Sequence, residues 1–233
     1  MLIFIKGAIN CTLRKTKNKK QKIKVKMKFL NCGNTPLGLY PLVDRAEKLE
    51  TLFSLGITTA QLRVKDLKGE ALEEEVINAI KIANNYTARL FINDFWELAI
   101  KHQAYGIHLG QEDLVDADLE AIHKANIRLG VSTHTTKEIE IALEIEPSYL
   151  AIGPIFETMS KEVAYDTVGI EELKKWSQNV PYPIVVIGGI NLENIQQLIE
   201  IPTVDGIAMI SAFLEKNTIS QKKSQNLLKL LKM

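Results

Sequence analysis

Cysteine is nearly absent from this 233-residue chain, and the two that occur, Cys11 and Cys32, both lie ahead of its patterned part. The body therefore offers neither a disulfide framework nor a thiolate nucleophile. Long apolar runs are also missing; none approaches the roughly 18 to 20 residues needed to cross a bilayer. The apolar start, residues 1–8, is too short for a secretory signal, and the basic stretch follows it instead of preceding it. A cytoplasmic protein without a membrane partner is the expectation. Residues 1–38 lack acidic side chains, holding ten of the 29 Lys/Arg and none of the 28 Asp/Glu, which leaves the remainder at −9. A body so acidic, with no interleaving of basic and aromatic residues, excludes a nucleic-acid binder. Residues 1–35 read as a basic, disordered extension, as an arm attracting polyanions, or as the result of a start upstream of Met27. With 46% hydrophobic and 24% charged residues, residues 36–233 suit a single catalytic domain.

From Leu39 onward short β-branched or apolar runs alternate with longer stretches of helical period. Strands are expected at 39–43, 59–64, 89–92, 106–109, 128–131, 149–152, 183–187 and 206–210. Helices are expected between them, among others at 69–86, 95–103, 119–125, 137–145, 170–178 and 192–201. Val76, Ile80 and Ala83 fall three or four apart and give the 69–86 segment a buried face. Eight such units predict an α/β fold of the (β/α)8 TIM-barrel type. The competing open, doubly wound sheet calls for a glycine-rich first turn, and the turn here is Val43-Asp44-Arg45.

Polar residues gather where the strands end. In 61–65 the period of two sets Gln61, Arg63 and Lys65 on one side. Buried unpaired charge is costly, so these residues make better sense as a clamp on a polyanion than as barrel filling. The third strand runs into Asn93 and Asp94, and Asp113 follows the fourth. Alone, Asp94 is explained as a helix N-cap and Asp113 as a turn residue. Together, beside a cationic clamp, they suit one Mg2+ per site, because magnesium takes one or two carboxylates and completes its shell with water and phosphate. Ser132 and His134 follow the fifth strand; the serine offers a hydroxyl to a ligand, while the histidine is an acid–base candidate or simply a local hydrogen-bonding residue. Thr158, Met159, Ser160 and Lys161 form an anion-binding loop after the sixth strand, bounded by Gly153 and Gly169 and able to cover the site, in which Met159 needs no cofactor role. Gly188 and Gly189 after the seventh strand, with Ile210 and Ser211 after the eighth, occupy the usual phosphate position of such barrels. Two anion sites result, one suited to a diphosphate and one to a monophosphate.

The motifs QLRVK (61–65), ARLFINDFWELAIKHQAYGIHLGQED (88–113), LGVSTH (129–134), AIGPIFETMSK (151–161), VIGGI (186–190) and MISA (209–212) resemble the thiamine phosphate synthase family over about 175 residues, from Leu39 to about Leu214. The resemblance implies a transferase that joins 4-amino-2-methyl-5-(diphosphooxymethyl)pyrimidine to 4-methyl-5-(2-phosphooxyethyl)thiazole with Mg2+, by dissociative substitution. It implies pyrimidine diphosphate contacts at Gln61, Leu62, Arg63, Val64, Lys65, Asn93, Ser132 and Lys161. It places the metal on Asp94 and Asp113, and the thiazole phosphate at Thr158, Met159, Ser160, Gly189, Ile210 and Ser211. Arg63, Lys65, Ser132 and Lys161 carry the catalytic roles. The partners implied are phosphorylated small molecules, and a homo-oligomer is compatible with the fold. Two departures stand out: the family's second loop threonine is Ser160, and residues 162–169 lack the proline-containing stretch of close relatives. The alternatives are a thiazole tautomerase, which lacks the full diphosphate and metal set, and a non-catalytic barrel that senses a phosphorylated ligand.

Overall fold

Alternation along the strands sorts the side chains into two cores. In a computed structural model, which describes residues 27–158 and 166–231, eight parallel strands close into a barrel. They are β1 (Gly38–Val43), β2 (Thr59–Leu62), β3 (Arg89–Asn93), β4 (Gly106–Leu109), β5 (Arg128–Thr133), β6 (Tyr149–Ile152), β7 (Ile184–Ile187) and β8 (Gly206–Met209). Each pairs with its neighbour in sequence, and β8 closes on β1. One set of strand residues, including Leu39, Leu62, Ile92, Val131 and Val186, packs with the surrounding helices. The alternate set, including Tyr40, Leu42, Phe91, Tyr149, Val185 and Ala208, fills the interior. A period of two in strands buried on both faces produces this division.

The helices lie largely where apolar spacing predicts them. Gly69–Asn85 buries Leu72, Val76, Ala79 and Ala83, a stripe repeating every three or four residues. The expected helix 192–201 is mostly turn, with only Gln196–Ile199 helical. The reason is side-chain competition for the backbone: Asn194 Oδ1 accepts from Asn191 N–H at 2.9 Å, and Asn191 Oδ1 accepts from Glu193 N–H at 2.8 Å. Strand β2 stops two residues before its expected end, although Arg63 N–H still donates to Val43 O at 2.7 Å. After β8 the chain adds a 3-10 turn (Ser211–Phe213), a two-stranded hairpin and the helix Gln221–Leu231. Among the described residues no helix is long and apolar enough to cross a membrane.

The stretch from Met27 to Pro36 crosses the N-terminal end of the barrel, with Phe29 and Cys32 buried. Two arginines at the starts of β3 and β5 hold it by its carbonyls. Arg89 donates to the carbonyls of Cys32, Thr35 and Pro36 at 3.3, 2.9 and 2.7 Å. Arg128 Nε donates to Asn31 O at 2.7 Å while its guanidinium lies 4.1 Å from the Tyr105 ring centroid. Arg89, 9% exposed, thus gives its charge to backbone dipoles, which a buried cation requires.

Candidate active site

At the opposite, C-terminal end the strands open into a cleft of about 650 Å³, lined by Gln61, Arg63, Lys65, Asn93, Asp94, Asp113 and Ser132, together with His108 and Gln111. Seven residues chosen from sequence pattern alone therefore face one space. The period of two explains the gathering at β2: Gln61, Arg63 and Lys65 face the cleft, while Leu62 and Val64 are 1% exposed in the strand–helix core and have only backbone to offer a ligand.

Charge in the cleft is unevenly compensated. Lys65 Nζ lies 2.6 Å from Asp94 Oδ2, so this lysine is in an ion pair. The guanidinium of half-buried Arg63 has no hydrogen-bond or ion-pair partner among the described residues, leaving its fork of donors for an anion. Asp94 does not cap the following helix Trp96–Lys101, whose N-cap is Phe95 without a side-chain cap bond. Its backbone is left-handed (φ 65°), a conformation that aspartate tolerates better than most residues, and its side chain lines the cleft. Asp113 accepts from Gly110 N–H at 3.2 Å. Burial raises the Asp113 carboxyl above its ordinary pKa, and the adjacent Asp94 raises it further. Two apposed carboxylates with one shared lysine fit a hard cation. Among the described residues no third His, Cys, Asp or Glu completes a cage, so a metal here would need water or substrate as its remaining ligands.

Ser132, inside β5 and one residue past the expected strand end, is held from both sides. His108 Nε2 lies 2.8 Å from its hydroxyl, and Gln111 Nε2 donates to its carbonyl at 2.6 Å. His134 lines the same cleft, with Nδ1 3.0 Å from Glu138 Oε2 and its backbone N–H donating to that oxygen at 2.6 Å. These contacts fit the local hydrogen-bonding role. His108, Gln111, Tyr40 and Tyr149 were not singled out by sequence pattern. The inward phase of β1, β4 and β6, shared with Gln61 and Ser132, was the available signal.

A second cleft of about 300 Å³ adjoins the first, sharing Ile187 and Ala208, and is lined by Thr158, Gly188, Gly189, Ile210 and Ser211 among others. Gly189 is required here. Its φ is 66°, and a Cβ would overlap the Glu157 carbonyl and the Phe156 side chain. Asn194 Nδ2 donates to the Gly189 carbonyl at 2.9 Å and pins the turn. Met159, Ser160 and Lys161 lie outside the described residues.

A family model described as thiamine monophosphate synthase matches residues 39–213. The thiamine-phosphate synthase of Photorhabdus laumondii is 48% identical over 190 residues, covering 81% of this chain and 88% of that protein. That of Klebsiella pneumoniae is 50% identical over 177 residues, covering 76% and 83%. Among solved structures, thiamine phosphate pyrophosphorylase from Pyrococcus furiosus superimposes with a TM-score of 0.74 at 29% identity, covering 84% of this chain and 96% of that one. Strand ends, paired carboxylates and these likenesses agree: the chain belongs to the thiamine monophosphate synthase family.

Proposed function

We propose that this enzyme condenses 4-amino-2-methyl-5-(diphosphooxymethyl)pyrimidine with 4-methyl-5-(2-phosphooxyethyl)thiazole, giving thiamine phosphate and diphosphate. The observation that carries the reading is the pair of adjoining clefts: one is lined by cations and apposed carboxylates, the other by hydroxyls and glycine backbone. Their contiguity lets two phosphorylated heterocycles meet.

The chemistry asks little nucleophilicity of the protein. The C–O bond to diphosphate breaks first and its electron pair leaves with the oxygen. The aminopyrimidine stabilises the resulting methylene cation, and the thiazole nitrogen lone pair captures it to form the C–N bond. Arg63 and Lys65 bind the diphosphate where its charge grows, and Lys161 is assigned the same role. Gln61, Asn93 and Ser132 orient the pyrimidine, with the backbone of Leu62 and Val64 completing the clamp. Thr158, Met159, Ser160, Gly189, Ile210 and Ser211 hold the thiazole phosphate. Crowding by both substrates keeps water from the cation. Asp94 and Asp113 would hold Mg2+, which supplies charge neutralisation on the departing diphosphate.

The test is a two-substrate assay with purified protein. Diphosphate release and thiamine phosphate are expected only with both substrates and Mg2+ present. No product at saturation with both would overturn this reading, and turnover of a thiazole carboxylate without the pyrimidine would replace it with the tautomerase one.

A further inference from the structure

At the base of the larger cleft, three side chains, through four polar contacts, join Gln61 to Ser132. Gln61 Nε2 lies 3.5 Å from the Tyr40 hydroxyl, which lies 2.8 Å from the Tyr149 hydroxyl. The Tyr149 hydroxyl is 2.7 Å from His108 Nδ1, and His108 Nε2 is 2.8 Å from Ser132 Oγ. Tyr40 and Tyr149 are 1% and 0% exposed at the floor of the cleft, and their hydroxyls are satisfied by one another, Gln61 and His108. The rings are also fixed in place. Tyr149 meets Phe91 edge-on at 5.0 Å and stacks on His108 at 5.6 Å, and Gly130 leaves the space its ring occupies.

Counting hydrogens gives this chain a direction. A hydroxyl owns one hydrogen, an amide nitrogen only donates, and a neutral imidazole has one N–H and one lone pair. With the Gln61 nitrogen facing it, Tyr40 gives its own hydrogen to the Tyr149 oxygen. Tyr149 then passes its hydrogen to His108 Nδ1. The imidazole proton resides on Nε2 and is donated to Ser132 Oγ, so the serine's own hydrogen is left for the cleft. The opposite direction requires the Gln61 amide to turn its oxygen toward Tyr40 and the imidazole proton to sit on Nδ1, so the His108 tautomer reports which direction the chain runs. Thr59 Oγ1 is the sole buried side-chain polar atom without a partner among the described residues, so the interior is otherwise satisfied.

We propose that Tyr40, Tyr149 and His108 are positioning residues that fix Ser132 as a hydrogen-bond donor toward the pyrimidine diphosphate. Gln111 supports the same role by holding the serine backbone. The proposal rests on the assignment of Ser132 to that substrate, and its first test does not depend on activity. Nitrogen-15 NMR of the full chain, labelled at histidine and free of ligand, is expected to show His108 as the single Nε2–H tautomer. Tyr149→Phe keeps the ring and removes the link. It is expected to retain the wild-type circular dichroism, to lose the single-tautomer signature, and to raise KM for the pyrimidine diphosphate about threefold to tenfold, as one lost hydrogen bond does. KM for the thiazole phosphate stays unchanged, which a general loss of packing would not spare. An Nδ1–H tautomer in the wild type overturns the direction of the chain whether or not the variant folds. A tautomer released in Tyr149→Phe with both KM values unchanged overturns the link to substrate. Failure of the wild type to form thiamine phosphate while His108 remains Nε2–H instead faults the proposed function alone.

Discussion

Replacing Arg63 with alanine separates binding of the leaving group from stability of the fold. Arg63 stands at the end of β2 in the wall of the larger cleft and holds no carboxylate among the described residues. Its removal strands no buried partner, so the fold is expected to change by no more than the ~0.5 kcal/mol of an ordinary surface substitution. The transition state is different, because diphosphate oxygens gain charge as the C–O bond breaks. Loss of one preorganised donor costs about 2 to 4 kcal/mol, which at about 1.36 kcal/mol per decade is a fall of roughly 30-fold to 900-fold in kcat/KM. Lys65→Ala is the internal contrast. It breaks the 2.6 Å pair with Asp94 and leaves two carboxylates facing each other, so activity and melting temperature are both expected to fall. The assay is initial-rate diphosphate release with each substrate varied in turn, beside thermal melts of the same samples. An Arg63→Ala enzyme within threefold of wild type, or one destabilised as much as Lys65→Ala, refutes the assignment of this guanidinium to the diphosphate.

Three further outcomes follow from the geometry. Asp113→Asn relieves repulsion with Asp94, so its melting temperature in EDTA is expected to rise while added Mg2+ loses its effect on activity; a melting temperature below wild type in EDTA would count against the apposed pair. Burial pushes the Cys32 thiol from 9.0 up to about 11, so the folded chain holds this proton where the unfolded chain releases it. Its contribution to stability is whole below pH ~9 and is lost as pH rises through about 11; urea midpoints of Cys32→Ala should fall less across that window than those of wild type. Gly130→Ala places a methyl group within the Tyr149 ring, and overpacking of this kind is expected to cost about 1 to 3 kcal/mol in urea unfolding, with a raised KM for the pyrimidine diphosphate.

The barrel and the larger cleft are legible in the sequence for different reasons. Strands buried on both faces leave runs such as Ile184–Ile187 that need no partner to be recognised, and the alternation Gln61, Arg63, Lys65 is a local property of one strand. What escapes a linear reading depends on three-dimensional register. Tyr40, His108 and Tyr149 come from β1, β4 and β6, which are not neighbours in the barrel, and only its closure brings their polar atoms together. The left-handed backbone at Asp94 is similarly hidden, since nothing in Ile92-Asn93-Asp94 announces it. The 192–201 segment fails in the opposite sense: its apolar spacing is helical, but two asparagines redirect the backbone before a helix can start. Residues 27–36 show a third case, because their anchoring arginines lie more than fifty residues further along the chain.

That carbonyl-clasped stretch has a practical consequence for anyone trimming the basic leader. A cut before Met27 keeps every donor of Arg89 and Arg128 engaged, whereas a cut at Gly38 removes the carbonyls of Asn31, Cys32, Thr35 and Pro36 at once. Two guanidinium groups would then draw solvent into the lower end of the barrel, beneath Phe91 and the paired phenols. The damage would register at the mouth, as a serine no longer told which way to turn. A shortened enzyme could therefore fold, keep its clefts and still bind poorly, having been opened from the side that never meets a substrate.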